Sequence, residues 1–191
     1  MTSSSSPMIH VFAVPVTDSI RASCVLICAV ASVRLVGLRG QTLLHEAAMV
    51  GEAELAAVLI RSGADPDAKE AEGHTPLYRA STGDVARVLL AAGATVDVVS
   101  GPTRGTPLHQ AARRGYFSVA QALLDHGASI EARDAKRETP LRRAVNCRQI
   151  EIVRLLVRHG ADPHAADRRG VTPLDMARTA EMKHAMADAG A

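Results

Sequence analysis

Thr106-Pro-Leu-His-Gln-Ala-Ala112 is the most informative segment of this chain. Threonine is a favoured helix N-cap, and the proline beside it falls at the first helical position, where no backbone N–H is needed. The segment recurs as Thr42-Leu-Leu-His-Glu-Ala-Ala48, Thr75-Pro-Leu-Tyr-Arg-Ala-Ser81, Thr139-Pro-Leu-Arg-Arg-Ala-Val145 and Thr172-Pro-Leu-Asp-Met-Ala-Arg178. The spacing of these threonines is nearly constant, so the chain repeats one structural unit.

A second signature closes each unit. Gly-Ala recurs at Gly63, Gly93, Gly127 and Gly160, and again at Gly190. Apolar residues at i, i+3 and i+4 precede it, which predicts an amphipathic second helix that ends at the glycine. In the first helix we expect the core residues to be Leu43, Leu77, Leu108, Leu141 and Leu174.

This pattern resembles the ankyrin repeat, whose T-P-L-H-x-A-A signature recurs about every 33 residues. The resemblance covers about residues 40–191. It implies an all-α solenoid of helix–turn–helix repeats with hairpin-like loops projecting between them. We place an ankyrin-repeat domain at 39–191, with repeats at about 40–72, 73–104, 105–137, 138–169 and 170–191.

Two units depart from the pattern in length. The segments from Thr75 to Gly93 and from Thr172 to Gly190 are each three residues shorter than their equivalents in the other units, so we expect shorter first helices there. The motif histidine is kept only as His45 and His109. In the family this imidazole ties neighbouring repeats together, so the units with Tyr78, Arg142 and Asp175 must satisfy the same groups otherwise.

The chain before position 39 carries no repeat motif. Residues 1–8 are Ser-rich and predicted to be disordered. Residues 9–38 are apolar, and Arg21 to Ile27 falls on Glu54 to Ile60 when the array is shifted by one period, which predicts a degenerate capping repeat. A secretory signal is one alternative, with Ala29-Val-Ala31 as its cleavage site. A membrane span is the other, but the apolar run Ala22 to Val33 is too short.

Three cysteines, Cys24, Cys28 and Cys147, form no disulfide framework. We therefore expect a cytoplasmic protein, or a secreted one if residues 1–31 act as a signal peptide. No nucleophile elbow, P-loop or HExxH motif is present, and the histidines fall mostly at repeat positions. The sequence predicts no enzyme, no catalytic residue, no cofactor and no metal ion.

The family binds partners mainly through loop tips and the exposed side of the first helices, which form one concave surface. The resemblance therefore implies a monomeric adaptor, scaffold or inhibitor that binds a protein. Residues 39–104 hold six basic and nine acidic side chains, whereas residues 105–170 hold twelve and seven. The predicted partner-binding residues are Met49, Val50, Arg79, Gln110, Arg113, Arg114, Lys136, Arg137, Arg143, Asn146, Arg148, Arg168 and Arg169.

The arginine-rich face has three interpretations. It is a groove for an acidic peptide, because arginine makes charge-assisted, bidentate bonds to carboxylates. It binds anions or nucleic acid through repeats three to five, an alternative that the scarcity of aromatic residues and the net charge of +2 disfavour. Or it is a solvated surface that binds nothing. Arg137 stands where we expect the other loops to carry Gly73, Gly105 and Gly170, which predicts a distorted loop.

Overall fold

The computed structural model describes residues 40–187, which form ten helices arranged as five helix–turn–helix units. The first helices of the units are α1 (Leu43–Val50), α3 (Pro76–Arg79), α5 (Pro107–Arg114), α7 (Pro140–Asn146) and α9 (Pro173–Met176). The second helices are α2 (Ala53–Arg61), α4 (Gly83–Ala91), α6 (Phe117–Asp125), α8 (Ile150–Arg158) and α10 (Ala180–Ala187).

The all-α prediction is confirmed over this range, which contains no strand; Ser100 and Gly105 form an isolated antiparallel bridge. First helices pack on first helices and second helices on second helices of neighbouring units, so one apolar core runs along the array. None of the helices between residues 40 and 187 has the length and apolarity to cross a membrane. The predictions for residues 1–39 and for Gly190 lie outside the described residues.

Each motif threonine is the N-cap of its first helix, as the sequence predicts. His109 completes a capping box, because its Nδ1 lies 3.2 Å from the backbone N and 2.9 Å from Oγ1 of Thr106. Nδ1 accepts from the backbone N–H, so the ring proton is on Nε2, which donates to the carbonyl of Glu138 at 3.0 Å. His45 makes the same bonds to Thr42 and to the carbonyl of His74. Each imidazole thus joins a helix start to the next loop.

The units without this histidine use different partners. Asp175 completes a capping box on Thr172, with Oδ2 accepting from the backbone N at 2.9 Å and from Oγ1 at 2.7 Å. Arg142 donates to Asp167 of the next unit at 2.9 Å, and both side chains are buried. Tyr78 instead stacks on His74, with ring centroids 4.3 Å apart.

The predicted core is correct except at its two ends. Leu77, Leu108 and Leu141 are buried, but Leu44 is the buried residue of the first unit and Leu43 is only half-buried. The motif leucine follows the threonine by two positions, and Leu43 occupies the proline position. Leu174 is 36% exposed, because α9 makes its main contacts with α7 alone.

The two short units have first helices of four residues, as predicted, against seven or eight in the others. Neighbouring repeats are also joined where the second helices end. Asp67 accepts from the backbone N–H of Thr95 at 2.9 Å, and Asp97 accepts from that of Ser129 at 3.0 Å. Glu131 accepts from the backbone N–H of Asp162 at 2.9 Å. These bonds hold the stacking register, so the loop tips and first helices keep fixed positions relative to one another.

Candidate protein-binding surface

The loop tips and the ends of the first helices carry most of the predicted partner-binding residues, and most of these are exposed. Arg113, Arg114, Asn146 and Arg148 lie at the ends of α5 and α7. Lys136, Arg137, Arg168 and Arg169 lie on the loops that precede α7 and α9. Met49 and Val50, at the end of α1, are 45% and 66% exposed. We call the seven basic residues of this set the arginine-rich face.

Arg79 and Arg143 do not belong to that face as free cations. Arg79 pairs with Glu70, its Nε donating at 3.0 Å, and Arg143 pairs with Asp134 in the same way at 3.0 Å. Both carboxylates are buried, and Arg143 also contacts Glu138 at 2.9 Å. These guanidinium groups sit at the same position of their repeats, and each neutralises a carboxylate of its own loop. Both arginines thus have a role inside their own loops, and their role as partner contacts stays a prediction.

The buried carboxylates keep their charge through these bonds. Burial acts to raise the pKa of Asp134, but hydrogen bonds from Arg143 and from the backbone N–H groups of Glu138 and Lys136 outweigh it, so the pKa lies below its ordinary value. The same balance lowers the pKa of Glu70, where Arg79 is the strongest donor. Removing either arginine would leave an uncompensated buried charge.

Gln110 stands at the equivalent position of α5 and has a different role. Its side chain is mostly buried, and its Oε1 accepts from Nε and Nη2 of Arg113 at 3.2 and 3.0 Å. The amide thus fixes the direction of an exposed guanidinium group. Arg113 has no carboxylate partner among residues 40–187.

Three arginines occupy backbone conformations that favour glycine. Arg104 and Arg137 have φ of 52° and 59° at loop tips, and Arg148 has φ of 57° after α7. The equivalent residues of other units are glycines with φ between 73° and 93°, namely Gly40, Gly73 and Gly170 in the loops and Gly51 and Gly115 after the helices. A left-handed conformation costs a non-glycine residue about 1–2 kcal/mol.

This observation corrects two sequence-based predictions. Arg137 does not distort its loop, because it adopts the conformation of Gly73 and Gly170 and keeps the turn bond from its N–H to Asp134 at 2.9 Å. The equivalent residue in the preceding loop is Arg104 and not Gly105. Arg104, which the set of predicted site residues omits, is exposed beside them. The sequence alone could have aligned Arg104 with Arg137, because each stands two residues before a motif threonine.

One cluster has the side chains of a cation site. Ligand atoms of Glu70, Glu72 and His74 lie within 4.8 Å of one another. Arg79 already supplies the positive charge that Glu70 requires, so a divalent ion would have to displace a buried ion pair. The cluster therefore gives no reason to change the prediction that the protein uses no metal.

These features define a class of protein, a helical repeat solenoid with an exposed basic face and no grouping of residues that indicates catalysis in the described part. The family described as ankyrin repeats, in three copies, matches residues 17–100 and 97–167. The chain belongs to the ankyrin-repeat family. Ankyrin repeats are protein-interaction modules, so a protein-binding role is supported for this chain.

Similar proteins carry the same repeats in longer chains. Human ankyrin repeat and SOCS box protein 11 is 36% identical over 49% of this chain and 29% of its own length. A putative E3 ubiquitin-protein ligase of Arabidopsis thaliana, XBAT35, is 38% identical over 46% of this chain and 20% of its own. Palmitoyltransferase Hip14 of Drosophila melanogaster is 38% identical over 41% and 13%. Since less than a third of each relative is matched, their whole-protein activities do not transfer to this chain.

Proposed function

We propose that this protein is an adaptor, scaffold or inhibitor that binds an acidic protein as a monomer, through the arginine-rich face and Arg104. The single observation that supports this most is the left-handed conformation of Arg104, Arg137 and Arg148. Glycine would adopt it without strain, and the repeats use glycine elsewhere at the same positions. Retained strain at exposed positions is a mark of a functional surface.

Charge supports the same surface. No ion pair joins Arg104, Arg137 or Arg148 to any residue between 40 and 187, whereas Arg79, Arg142 and Arg143 are all paired. Arginines without an internal carboxylate can pair with those of a partner, and charge-assisted bonds of this kind give orientation and association rate. Met49 and Val50, at the end of α1, offer exposed apolar contact area.

The test compares two variants of equal charge. In the first, Arg104, Arg137 and Arg148 become glycine, which relieves the backbone and leaves the fold intact. In the control, Arg61, Arg158 and Arg178, which are exposed elsewhere in the array, become alanine. Tagged proteins capture partners from a lysate of the source cells, and recovered proteins are identified by mass spectrometry and then measured singly with purified material.

We expect to identify a partner protein that the wild type and the control variant both capture and that the glycine variant does not. Its affinity for the wild type should fall as the salt concentration rises. Equal recovery by all three proteins would contradict the proposed surface. Recovery of nucleic acid that nuclease treatment abolishes would favour the alternative of a nucleic-acid binder.

A further inference from the structure

A cavity of about 220 Å³ lies beside α3, α5 and the loop that joins α4 to α5. Its lining includes His74 and Tyr78 of the second unit and Gln110 and Arg113 of the third. Sites that bury a whole small molecule are larger, roughly 300–1,000 Å³. The volume therefore suits one side chain of a bound protein.

The loop beside this cavity differs from the others. Before α3, α7 and α9, the N–H of Glu70, Asp134 or Asp167 donates to the carbonyl four residues on, at 3.1 Å in each case. Before α5, Ser100 donates to Gly105, five residues on, at 3.0 Å. This loop is one residue longer, and Ser100 takes the place of a carboxylate.

The third unit lacks both members of the ion pair found in its neighbours, because Ser100 replaces the carboxylate and Gln110 replaces the arginine. Each of the other three loops supplies a carboxylate to an arginine: Glu70 to Arg79, Asp134 to Arg143 and Asp167 to Arg142. Ser100 supplies no charge, and its buried hydroxyl has no hydrogen-bond partner among the described residues. Among residues 40–187, the side chain of Arg113 is hydrogen-bonded to the neutral Gln110 and to no carboxylate.

Gly105 keeps the cavity open, although the backbone does not require glycine there. A Cβ at this position would lie 3.5 Å from Cβ of His109 and 3.6 Å from Oγ1 of Thr103, which are ordinary contacts. Its φ is outside the left-handed region. The equivalent residue before α7 is Glu138, whose carboxylate contacts Arg143 at 2.9 Å. The backbone of the third repeat could therefore carry a side chain at position 105, as the fourth repeat does at Glu138, but it has glycine.

We infer that the partner supplies a carboxylate that Arg113 lacks among residues 40–187: an acidic side chain enters this cavity and pairs with Arg113. Groups that can donate to a carboxylate line the cavity, namely the guanidinium of Arg113, the amide nitrogen of Gln110 and the hydroxyls of Tyr78 and Thr103. Arg143 also lines it, but that guanidinium group is paired with Asp134 and Glu138. Glu72 is the one acidic residue of the lining, and its carboxylate lies 3.5 Å from Nδ1 of His74. This inference rests on the proposed protein-binding function and names the residue type that the partner inserts.

The test uses NMR titration of the full chain with a short acetylated and amidated peptide of alternating Glu and Gly, beside the same peptide with Gln. We expect saturable shifts of the Arg113 Nε–Hε signal and of the Gly105 and Gln110 amides with the Glu peptide only. Arg113→Gln should weaken binding about tenfold, the effect of losing a charge-assisted bond. Arg158→Gln, on the second helix α8, should leave it unchanged.

Gly105→Glu is the second variant, because it places an internal carboxylate where Glu138 stands in the next repeat. It should fold as wild type by its amide spectrum and lose saturable binding of the peptide. Equal shifts from the Glu and Gln peptides, or unchanged binding by Arg113→Gln, would overturn the inference. A single-stranded oligonucleotide that shifts the same signals more strongly than the Glu peptide would also overturn it.

The two proposals fail separately. If Arg113→Gln and Gly105→Glu retain a captured partner that the Arg104, Arg137 and Arg148 glycine variant loses, the cavity is not the site of the carboxylate and the proposed surface stands. If the peptide occupies the cavity and no variant changes partner capture, the cavity binds carboxylates but the proposed function is wrong.

Discussion

Replacement of Arg137 by glycine should make the protein more stable. In its left-handed conformation the arginine costs about 1–2 kcal/mol relative to a residue without a Cβ. Glycine is more flexible than arginine in the unfolded chain, and this difference lowers the free energy of unfolding by roughly 0.5–1 kcal/mol. The turn bonds of this loop involve backbone atoms and Asp134, so they survive the change. The expected net gain in the free energy of unfolding is about 0.5–1 kcal/mol.

The assay is equilibrium unfolding in urea, followed by far-UV circular dichroism, with the gain read as a higher midpoint at an unchanged slope. Arg168→Gly is the matched control, because Arg168 is an exposed loop arginine outside the left-handed set. It should lose about 0.5–1 kcal/mol. Arg137→Ala removes the side chain but keeps the Cβ, so it should show no gain.

A midpoint for Arg137→Gly at or below that of wild type would refute the strain argument. So would an equal gain in Arg168→Gly, since loss of an exposed positive charge would then explain both. If strain is confirmed and Arg104→Gly and Arg148→Gly behave alike, the three gains should add, because residues that share no partner contribute independently.

The remaining predictions concern the core and its histidines. Leu123→Ala should lower the free energy of unfolding by about 2–5 kcal/mol, because Leu123 is fully buried. Leu174→Ala should lower it far less, because Leu174 is exposed. Equal losses of the two variants in urea unfolding would contradict the core assignment. Burial lowers the pKa of His45 and His109, although bonds to the carbonyls of His74 and Glu138 act to raise it. The unfolded state therefore binds protons first as pH falls below about 6.5, so stability should drop from there towards the lowered pKa of the folded state. Unfolding measured from pH 7.5 to pH 5.5 should be less pH-dependent when both histidines are changed to Gln, and an unchanged dependence would count against this explanation.

The repeat architecture could be predicted because its signals are local. The threonine N-caps, the adjacent prolines and the helix-ending glycines act within one turn of the chain, and five repetitions in register place every helix. The three missing residues in two units likewise predicted that the first helices α3 and α9 would be shorter than the others. The assignment of Leu43 to the core was wrong. Its position directly after Thr42 decides which side of the helix it faces, and its apolar character does not.

The binding surface could be predicted only in outline. Position within the repeat placed Arg113, Arg114 and Arg148 on the exposed side correctly. It could not separate them from Arg79 and Arg143, since that distinction depends on a buried carboxylate nine residues earlier in the chain. An ion pair of this kind exists only after the loop folds back over the start of the helix.

Contacts between residues close in the chain establish the repeat of this ankyrin-repeat protein, its period and its helix boundaries, so the order of residues was enough to predict them. The amino-acid sequence also showed that arginine is more frequent in the third to fifth units together than in the first two. The folded molecule was needed to show which arginines are free, that Arg104, Arg137 and Arg148 are strained, and that a cavity lies beside Gly105. The ion pairs depend on a loop that folds back over the start of its own helix, and the strained conformations depend on the path of the folded backbone. The cavity depends on the stacking of neighbouring repeats, because residues of more than one unit line it.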